Sequence, residues 1–292
     1  MKNIAAYTSF NYAYASKACV LAKTMKEFNP DWHVVAIVTD TYDINRNKLL
    51  EEFFDEIIFS DGLDIVDYDK FVKKYSVVEM CTAVKGAAAC FLLARSYDQV
   101  FYFDPDIQVF SSLLSMSDAL TQGNVLLTPH ILTVESTQKS EAIIDTEVNA
   151  LKYGIFNLGF IGFNNSREGR RVAKWWSDRL AFACIDAPGD GYFTDQKWCN
   201  HIPVLFDGVI IHKDFGCNLA SWNLYERTVQ ISDEGDVFVN DDTLKFYHFT
   251  KFGSVGLAMT TRYAKDNFDV YELWANYGRE LEKMDFINRT NI

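Results

Sequence analysis

The sharpest local feature of the sequence is residues 101–110, FYFDPDIQVF, where an apolar run ends at two carboxylates. Residues 100–103 predict a buried β-strand, and Asp104 and Asp106 follow at its end. Because side chains alternate along an extended segment, the two carboxylates point to the same side. Pro105 has a fixed φ and no N–H to donate, which suits the end of a strand rather than its middle.

Two interpretations of this Asp-x-Asp pattern are open. Like charges held together cost free energy unless a cation, hydrogen bonds or a shared proton offsets the repulsion. A divalent ion that bridges to a diphosphate is one remedy, because carboxylate and phosphate oxygens complete a near-octahedral shell. The alternative is an acidic, solvent-facing turn in which Asp104 caps the residues that follow. The sequence around the motif is therefore needed to distinguish the metal site from the turn.

Strand and helix signals alternate on both sides of this motif in the first half of the chain. The apolar and β-branched runs predict strands over residues 4–7, 32–38, 56–59, 100–103 and 125–127. The helical periodicity predicts helices over residues 15–28, 48–54 and 78–94. Strands that alternate with helices indicate βαβ units, so we predict an α/β fold with a mainly parallel, Rossmann-like sheet flanked by helices.

The second half of the chain predicts a smaller mixed part. Helices are predicted over residues 141–150, 167–184 and 269–284, and strands over residues 156–163, 204–206, 209–211, 229–231, 237–239 and 244–249. No repeat and no Pro/Gly/Ser-rich linker interrupts the chain, which favours one continuous domain. In open α/β sheets ligands bind at the carboxyl ends of the strands, so the site is expected there.

Composition narrows the possible ligands. The 292 residues include 28 Lys+Arg against 40 Asp+Glu, a formal charge of −12, and 49% of them are apolar, enough for a full core. An acidic chain with no basic run argues against nucleic acid as the main ligand and against a basic membrane-surface patch.

Hydropathy and cysteine usage bear on location. No run approaches the roughly 18 apolar residues that span a bilayer, and no secretory signal is recognisable, so no transmembrane segment is expected. The six cysteines show no CxxC pair and no zinc-ligand spacing, which indicates reduced structural thiols in a cytoplasmic protein. His33, His130, His201 and His212 show no partner pattern and receive no role.

An Asp-x-Asp motif after a hydrophobic strand, in a chain that opens with βαβ units, resembles the GT-A-fold glycosyltransferases. The closest pattern is that of the retaining family-8-type enzymes, which further segments also match in order. These are residues 3–13 (NIAAYTSFNYA), Lys85, residues 154–160 (GIFNLGF) with 194–196 (TDQ), and residues 247–253 (YHFTKFG).

The resemblance implies a single glycosyltransferase domain with a metal-bound nucleotide sugar. Its nucleotide-binding half would be residues 1–110, its donor and acceptor half 111–268, and its C-terminal helix 269–292. A metal, Mn²⁺ or Mg²⁺, would be held by Asp104, Asp106 and His248. The nucleotide sugar would contact Thr8, Asn11, Tyr12, Asp40, Lys85, Asn157 and Gly159. The catalytic group would be Asp195 and Gln196 beside the sugar, with Lys251 near the diphosphate.

Five of these residues also have an ordinary structural interpretation. His248 is a candidate core histidine, Lys85 and Lys251 are candidate surface lysines, Gly159 a strand kink, and Asp195 a helix N-cap. Among the aromatic residues, Trp222 lies in loop-like sequence and is the best candidate to stack on an acceptor sugar. Acceptor specificity is expected in the loops at residues 129–140 and 188–193.

The function implied is metal-dependent transfer of a sugar from a nucleoside diphosphate, UDP preferred, to a hydroxyl group. The acceptor would be a bacterial surface glycan or a lipid-linked saccharide, and the configuration would be retained. One alternative is a haloacid-dehalogenase-type phosphatase with Asp104 as nucleophile and Asp106 as acid–base, which expects Asp-x-Asp on the first strand. A sugar-nucleotide pyrophosphorylase would need a glycine-rich loop after strand one, whereas residues 8–14 contain no glycine. A catalytically inactive protein that binds nucleotide sugars or glycans is the third alternative.

Overall fold

One large sheet and two small ones organise the computed structural model, which describes residues 2–134 and 140–285. The strands are β1 (Ile4–Phe10), β2 (His33–Val38), β3 (Glu56–Phe59), β4 (Gln99–Phe103), β5 (Ile107–Val109), β6 (Val125–Pro129), β7 (Phe156–Asn164), β8 (Val209–Ile211), β9 (Val229–Ile231), β10 (Val237–Val239), β11 (Asp242–Thr243) and β12 (Phe246–His248). The seven-stranded sheet has the order β3-β2-β1-β4-β7-β6-β8. Its strands pair in parallel except at β7, which runs antiparallel to β4 and β6. The predicted α/β class with a mainly parallel sheet is confirmed.

Helices flank this sheet and extend into the C-terminal part. They are α1 (Ala15–Phe28), α2 (Ile44–Leu50), α3 (Tyr68–Val72), α4 (Val77–Ala83), α5 (Lys85–Leu93), α6 (Leu114–Leu120), α7 (Ser140–Ile143), α8 (Asn149–Tyr153), α9 (Arg167–Ala183), α10 (Ile202–Leu205), α11 (Ser254–Ala264) and α12 (Phe268–Met284). A π-helical turn, Ile144–Val148, joins α7 to α8, and single 3₁₀ turns occupy Tyr12–Tyr14, Ser60–Gly62, Pro188–Asp190 and Lys197–His201. The last residues of the predicted C-terminal helix, 286–292, and part of the predicted acceptor loop, 135–139, lie outside the described residues. Within residues 2–134 and 140–285, no helix is both long and apolar enough to cross a membrane.

Hydrophobic cores lie on both faces of the large sheet, and β4 belongs to both. Phe101 and Phe103 pack into the core that contains Trp32, whose ring stacks on Phe101 at 5.0 Å between centroids. Val100 and Tyr102 face the opposite core. A strand buried on both faces is continuously apolar, which is why the FYF run predicted it correctly.

Two predicted helices have different bounds in the structure. Residues 78–94 form two helices, α4 and α5, that meet at Val84, rather than one. The first residues of α5 are fixed by tertiary contacts: Lys85 is buried, and a Cβ added at Gly86 would lie 2.5 Å from Cα of Ser177 in α9. The helix predicted over residues 48–54 begins earlier, because the Asp43 side chain accepts hydrogen bonds from the first turn of α2.

The strand predicted over residues 204–206 is wrong, because residues 204 and 205 belong to the helical turn α10 and Phe206 is its C-cap. Pro203 lies in the first turn of α10, where its fixed φ and missing N–H are tolerated. A short apolar run cannot be told from a buried helical turn by periodicity alone.

A two-stranded sheet brings the end of the chain to the Asp-x-Asp turn. After β4 the chain turns through Asp104–Asp106 and enters β5, which pairs antiparallel with β12 so that His248 lies opposite Ile107. The N–H of Phe249 donates to the carbonyl of Asp106 at 2.9 Å. The strand predicted over residues 244–249 is therefore present in its central part, and its pairing delivers His248 to the carboxylates.

Candidate functional site

A cavity of about 880 Å³ opens at the carboxyl ends of β1 and β4. Ten of the thirteen predicted site residues line it: Asn11, Lys85, Asp104, Asp106, Asn157, Gly159, Asp195, Gln196, His248 and Lys251. They come from distant parts of the sequence. Their convergence places the candidate site where the general rule for open α/β sheets expects a ligand.

Asp104, Asp106 and His248 form a group with the geometry of a metal site. One ligand atom from each lies within 4.8 Å of the others. His248 Nε2 lies 3.1 Å from Asp106 Oδ1 and 3.7 Å from Asp104 Oδ2. Burial alone would lower the pKa of His248, but the carboxylates of Asp106 and Asp104 raise it. Two carboxylates beside one imidazole give this group of three side chains an excess of negative charge. Their oxygen and nitrogen atoms are ligands that suit a Mn²⁺-like ion.

The Asn157 amide determines which ring nitrogen of His248 faces such an ion. Asn157 Oδ1 accepts from the Gly159 N–H at 3.1 Å and from Asn218 Nδ2 at 3.0 Å, which fixes the orientation of the amide. The same oxygen lies 3.2 Å from His248 Nδ1. Because an amide oxygen only accepts, Nδ1 carries the proton in this contact, and Nε2 is left to bind an ion.

Gly159, on β7, has no side chain, and this allows the His248 imidazole to lie against the strand. A Cβ added there would lie 2.5 Å from both Cε1 and Nδ1 of the imidazole. We expect Gly159→Ala to displace the ring. If Asp104, Asp106 and His248 hold a divalent ion, the substitution should weaken its binding roughly 10–100-fold, the usual cost of disturbing the surroundings of a metal ligand. Titration of free Mn²⁺ by electron paramagnetic resonance measures this change.

Gly162→Ala is the matched control for Gly159→Ala. It lies on the same strand, and its added Cβ would meet the Phe101 ring at 2.6 Å, away from the carboxylates. This variant should lose folding stability but keep its Mn²⁺ affinity. Equal affinities in the two variants would show that Gly159 has no special role beside His248.

Lys85 is a buried cation between two carboxylates rather than a surface lysine. Its Nζ donates to Asp104 Oδ1 and to Asp195 Oδ2, each at 2.9 Å. It also donates to the Leu158 carbonyl at 3.2 Å and lies 4.3 Å from the centroid of the Tyr102 ring. Burial alone would lower the pKa of Lys85, but the two carboxylates raise it well above its usual value, so the ammonium stays charged. Burial raises the pKa of Asp195 in spite of Lys85, and the charge of Asp104 adds to that rise.

Gln196 is held at both ends of its amide. Oε1 accepts from the Leu158 N–H at 3.1 Å, and Nε2 donates to the Tyr153 carbonyl at 3.2 Å. The side chain is buried, and it connects α8 to β7 at the cavity wall. Gln196 therefore presents a fixed neutral surface beside the Asp195 carboxylate.

Three predicted nucleotide-binding residues lie outside the cavity lining. Asp40 Oδ2 accepts from the Tyr12 N–H at 2.6 Å and so supports the turn that follows β1. Thr8 is buried within β1. Contact of these three side chains with a nucleotide stays a prediction. Lys251 lies at the cavity surface, exposed, with a left-handed φ of 52°.

Two residues that were not predicted from the sequence, His130 and Asn218, support Asn157. His130 Nε2 lies 3.3 Å from Asn157 Nδ2, and burial lowers the pKa of His130 to about 4, so this ring is neutral at pH 7. Asn218 adopts a left-handed φ of 57° and is almost fully buried. Asparagine tolerates this conformation, but an isolated Asn in a loop gives no sign of the partner it reaches. Trp222, the predicted acceptor-side aromatic, does line the cavity, with its ring 5.3 Å from that of His248.

Two curated bacterial proteins are similar to part of the chain, and no protein-family model matches it. The uncharacterized protein YfnF of Bacillus subtilis (strain 168) is 29% identical over 160 residues, 55% of this chain and 52% of YfnF. The uncharacterized protein YfnD of the same organism is 27% identical over 179 residues, 60% of this chain and 54% of YfnD. The chain thus spans about half the length of the curated relatives it matches.

Solved glycosyltransferase structures share the fold. The galactosyltransferase LgtC, in complex with donor and acceptor sugar analogs, is 16% identical with a TM-score of 0.52, over 94% of this chain and 95% of LgtC. The glycosyltransferase GlyE of Streptococcus pneumoniae TIGR4 is 14% identical with a TM-score of 0.54, over 97% of this chain and 63% of GlyE. The chain has the GT-A-type fold of these proteins.

Proposed function

We propose that this chain, which has the fold of the GT-A glycosyltransferases, is itself a metal-dependent glycosyltransferase. It would move a sugar from a nucleoside diphosphate to a hydroxyl group. The observation that carries the proposal is the convergence of Asp104, Asp106 and His248 in a large cavity at the carboxyl ends of the strands. A cavity of about 880 Å³ is large enough for a nucleotide sugar together with part of an acceptor.

The residues of the site divide into two groups in this proposal. Asp104, Asp106 and His248 would hold a divalent ion, which when bound neutralises charge on the departing nucleoside diphosphate. Lys85 keeps the Asp104 carboxylate oriented through its hydrogen bond. Lys251 is exposed and lines the cavity, and its ammonium would contact phosphate oxygens of the donor.

The sugar would lie against Asp195 and Gln196. Asp195 is buried and fixed by Lys85, and Gln196 is fixed through both ends of its amide, so both side chains meet a ligand without reordering. Trp222 lines the same cavity beside His248, and its ring would stack on an acceptor sugar.

The finer assignments rest on the family resemblance of the sequence. We propose Mn²⁺ as the ion, UDP as the preferred nucleotide, retention of configuration, and a bacterial surface glycan or lipid-linked saccharide as the acceptor. The Bacillus origin of the curated relatives supports the bacterial context. A cytoplasmic location stays a prediction. The configuration of the product is directly testable, because NMR identifies the anomer released first from a donor.

Donor turnover with and without metal tests the proposed activity. The protein is incubated with UDP-, GDP-, dTDP- and CMP-sugars in Mn²⁺ or in EDTA, and released nucleotide is measured. We expect release from one donor class, reduction to background in EDTA and recovery with added Mn²⁺, because without the ion the acidic site repels its own anionic donor.

Other outcomes of this experiment would overturn the proposal. Release of inorganic phosphate from sugar phosphates would indicate the phosphatase, although Asp104 here follows β4 rather than the first strand. Binding of a nucleotide sugar without turnover, even with a panel of acceptors, would indicate an inactive binding protein.

A further inference from the structure

We propose that His212, Asp214 and Cys217 form a second cation site, one that takes a zinc-like ion. The three residues follow β8 in the segment HKDFGC, and they are distinct from the group around the Asp-x-Asp turn. An imidazole nitrogen, a carboxylate oxygen and a thiol sulfur lie within 4.8 Å of one another. This proposal does not depend on the proposed transferase activity.

The His212 ring faces the group with an unsatisfied nitrogen. Its Nε2 is buried and has no hydrogen-bond partner within the part of the chain that the structure describes. Asp214 Oδ2 is 3.8 Å from it, which is too far for a hydrogen bond. A buried polar atom without a partner is costly, and an ion between Nε2 and the carboxylate would satisfy it.

The loop that holds these ligands is already fixed by main-chain contacts. Asp214 Oδ1 accepts from the Gly216 N–H at 2.7 Å, which leaves Oδ2 free to face His212. Arg227 Nη1 donates to the carbonyls of Phe215 and Cys217 at 2.9 and 2.7 Å. Because the Arg227 guanidinium is hydrogen-bonded to the main chain, the loop keeps its shape without an ion.

The donor set selects the kind of ion. A mixed nitrogen, oxygen and sulfur set suits Zn²⁺, whereas Mg²⁺ and Mn²⁺ prefer oxygen-rich sites such as the one at Asp104 and Asp106. Three protein ligands leave a fourth tetrahedral position for water. The side chains of His212 and Asp214 are 15% and 22% exposed, whereas Cys217 is buried.

The position of the site suggests what the ion does. Asn218 follows Cys217 directly, and its amide donates to Asn157 Oδ1, the oxygen that faces His248. An ion bound to Cys217 would therefore restrict the motion of Asn218, and through it the position of Asn157 in the wall of the main cavity. The His-x-Asp-x-x-Cys spacing contains only one cysteine and matches no common zinc pattern, so the sequence alone does not predict a role for His212.

Cobalt spectroscopy of the full chain tests the site. After treatment with EDTA and its removal, one equivalent of Co²⁺ should give a thiolate-to-cobalt charge-transfer band, since Cys217 supplies sulfur and the Asp104 group has none. Zn²⁺ should displace the cobalt and abolish the band. In Cys217→Ser the band should disappear, and in His212→Asn the apparent affinity should fall at least about tenfold.

Two variants control for the other metal-binding group and for the other thiols. Asp106→Asn and Cys90→Ser should both keep the band. His212→Asn alters a partly exposed side chain, so it remains informative if the buried Cys217→Ser fails to fold. Absence of the band in the wild-type chain at excess Co²⁺ would overturn the proposal, as would its persistence in His212→Asn with unchanged affinity.

Discussion

Asp106→Asn is expected to reduce nucleotide release from the donor by roughly 10²–10⁴-fold in kcat/KM. Charge stabilisation by a catalytic metal is worth several kcal/mol, and each 1.36 kcal/mol is about tenfold in rate. Asp106 is buried and lies 3.1 Å from His248, so its loss removes the carboxylate closest to the imidazole. Initial rates at saturating Mn²⁺ and an electron paramagnetic resonance titration separate lost affinity from lost turnover.

The same substitution should leave the fold intact. The main-chain bond from Phe249 to the Asp106 carbonyl does not involve the side chain. Asparagine has nearly the same shape. Removal of one negative charge weakens the contact with the His248 imidazole but also lessens the repulsion between Asp104 and position 106. The midpoint of thermal unfolding should therefore shift by no more than a few degrees. Asp61→Asn, at an exposed position, is the control for the loss of a carboxylate. Near-normal turnover by Asp106→Asn would contradict the assignment of Asp106 to a metal site.

How far the site could be predicted depends on the range of the contacts that build it. The apolar FYF run and the Asp-x-Asp that follows are local signals, and they located β4 and its end correctly. Strand β5 has only three residues, too few to give a periodic signal. Its pairing with β12 brings His248 to Asp106. Asn218 contacts Asn157 across 61 positions of sequence, which no local pattern encodes. The break at Val84 is likewise set by tertiary packing around α5, which overrides helix propensity.

Lys85→Met is expected to destabilise the fold by about 3–5 kcal/mol, because it leaves buried charge without its partner. The ammonium is the shared hydrogen-bond donor to Asp104 and Asp195, and all three groups lie in one cluster. Donor turnover should fall as well, since the Asp104 carboxylate loses the contact that orients it. Urea unfolding measures the stability change. Lys174→Met on α9, which breaks an exposed pair with Asp178, should cost less than about 1 kcal/mol.

A double substitution separates the charge effect from a packing effect. Lys85→Met with Asp195→Asn removes the cation together with one of its two anions, so part of the lost stability should return while turnover stays low. If the cost of Lys85→Met came from packing alone, the second substitution would restore nothing. A Lys85→Met protein as stable as the wild type at neutral pH would contradict the buried ion pair itself.

The pH dependence of Lys85→Met provides the sharpest test of this triad. Burial already raises the folded-state pKa of Asp195, and Lys85 opposes that rise, so removal of the lysine raises this pKa further. A group with a raised folded-state pKa takes up a proton on folding. Its favourable contribution to the free energy of unfolding is lost as the pH increases through that pKa. The stability deficit of Lys85→Met should therefore be small near the unfolded-state value of about 4 and should grow as pH rises. In the Lys85→Met/Asp195→Asn protein this growth should be much reduced, because the titrating carboxylate is gone. Urea unfolding of both proteins across this pH range measures the difference. It distinguishes a Lys85 that compensates the charge of Asp195 from a Lys85 that only fills space in the core.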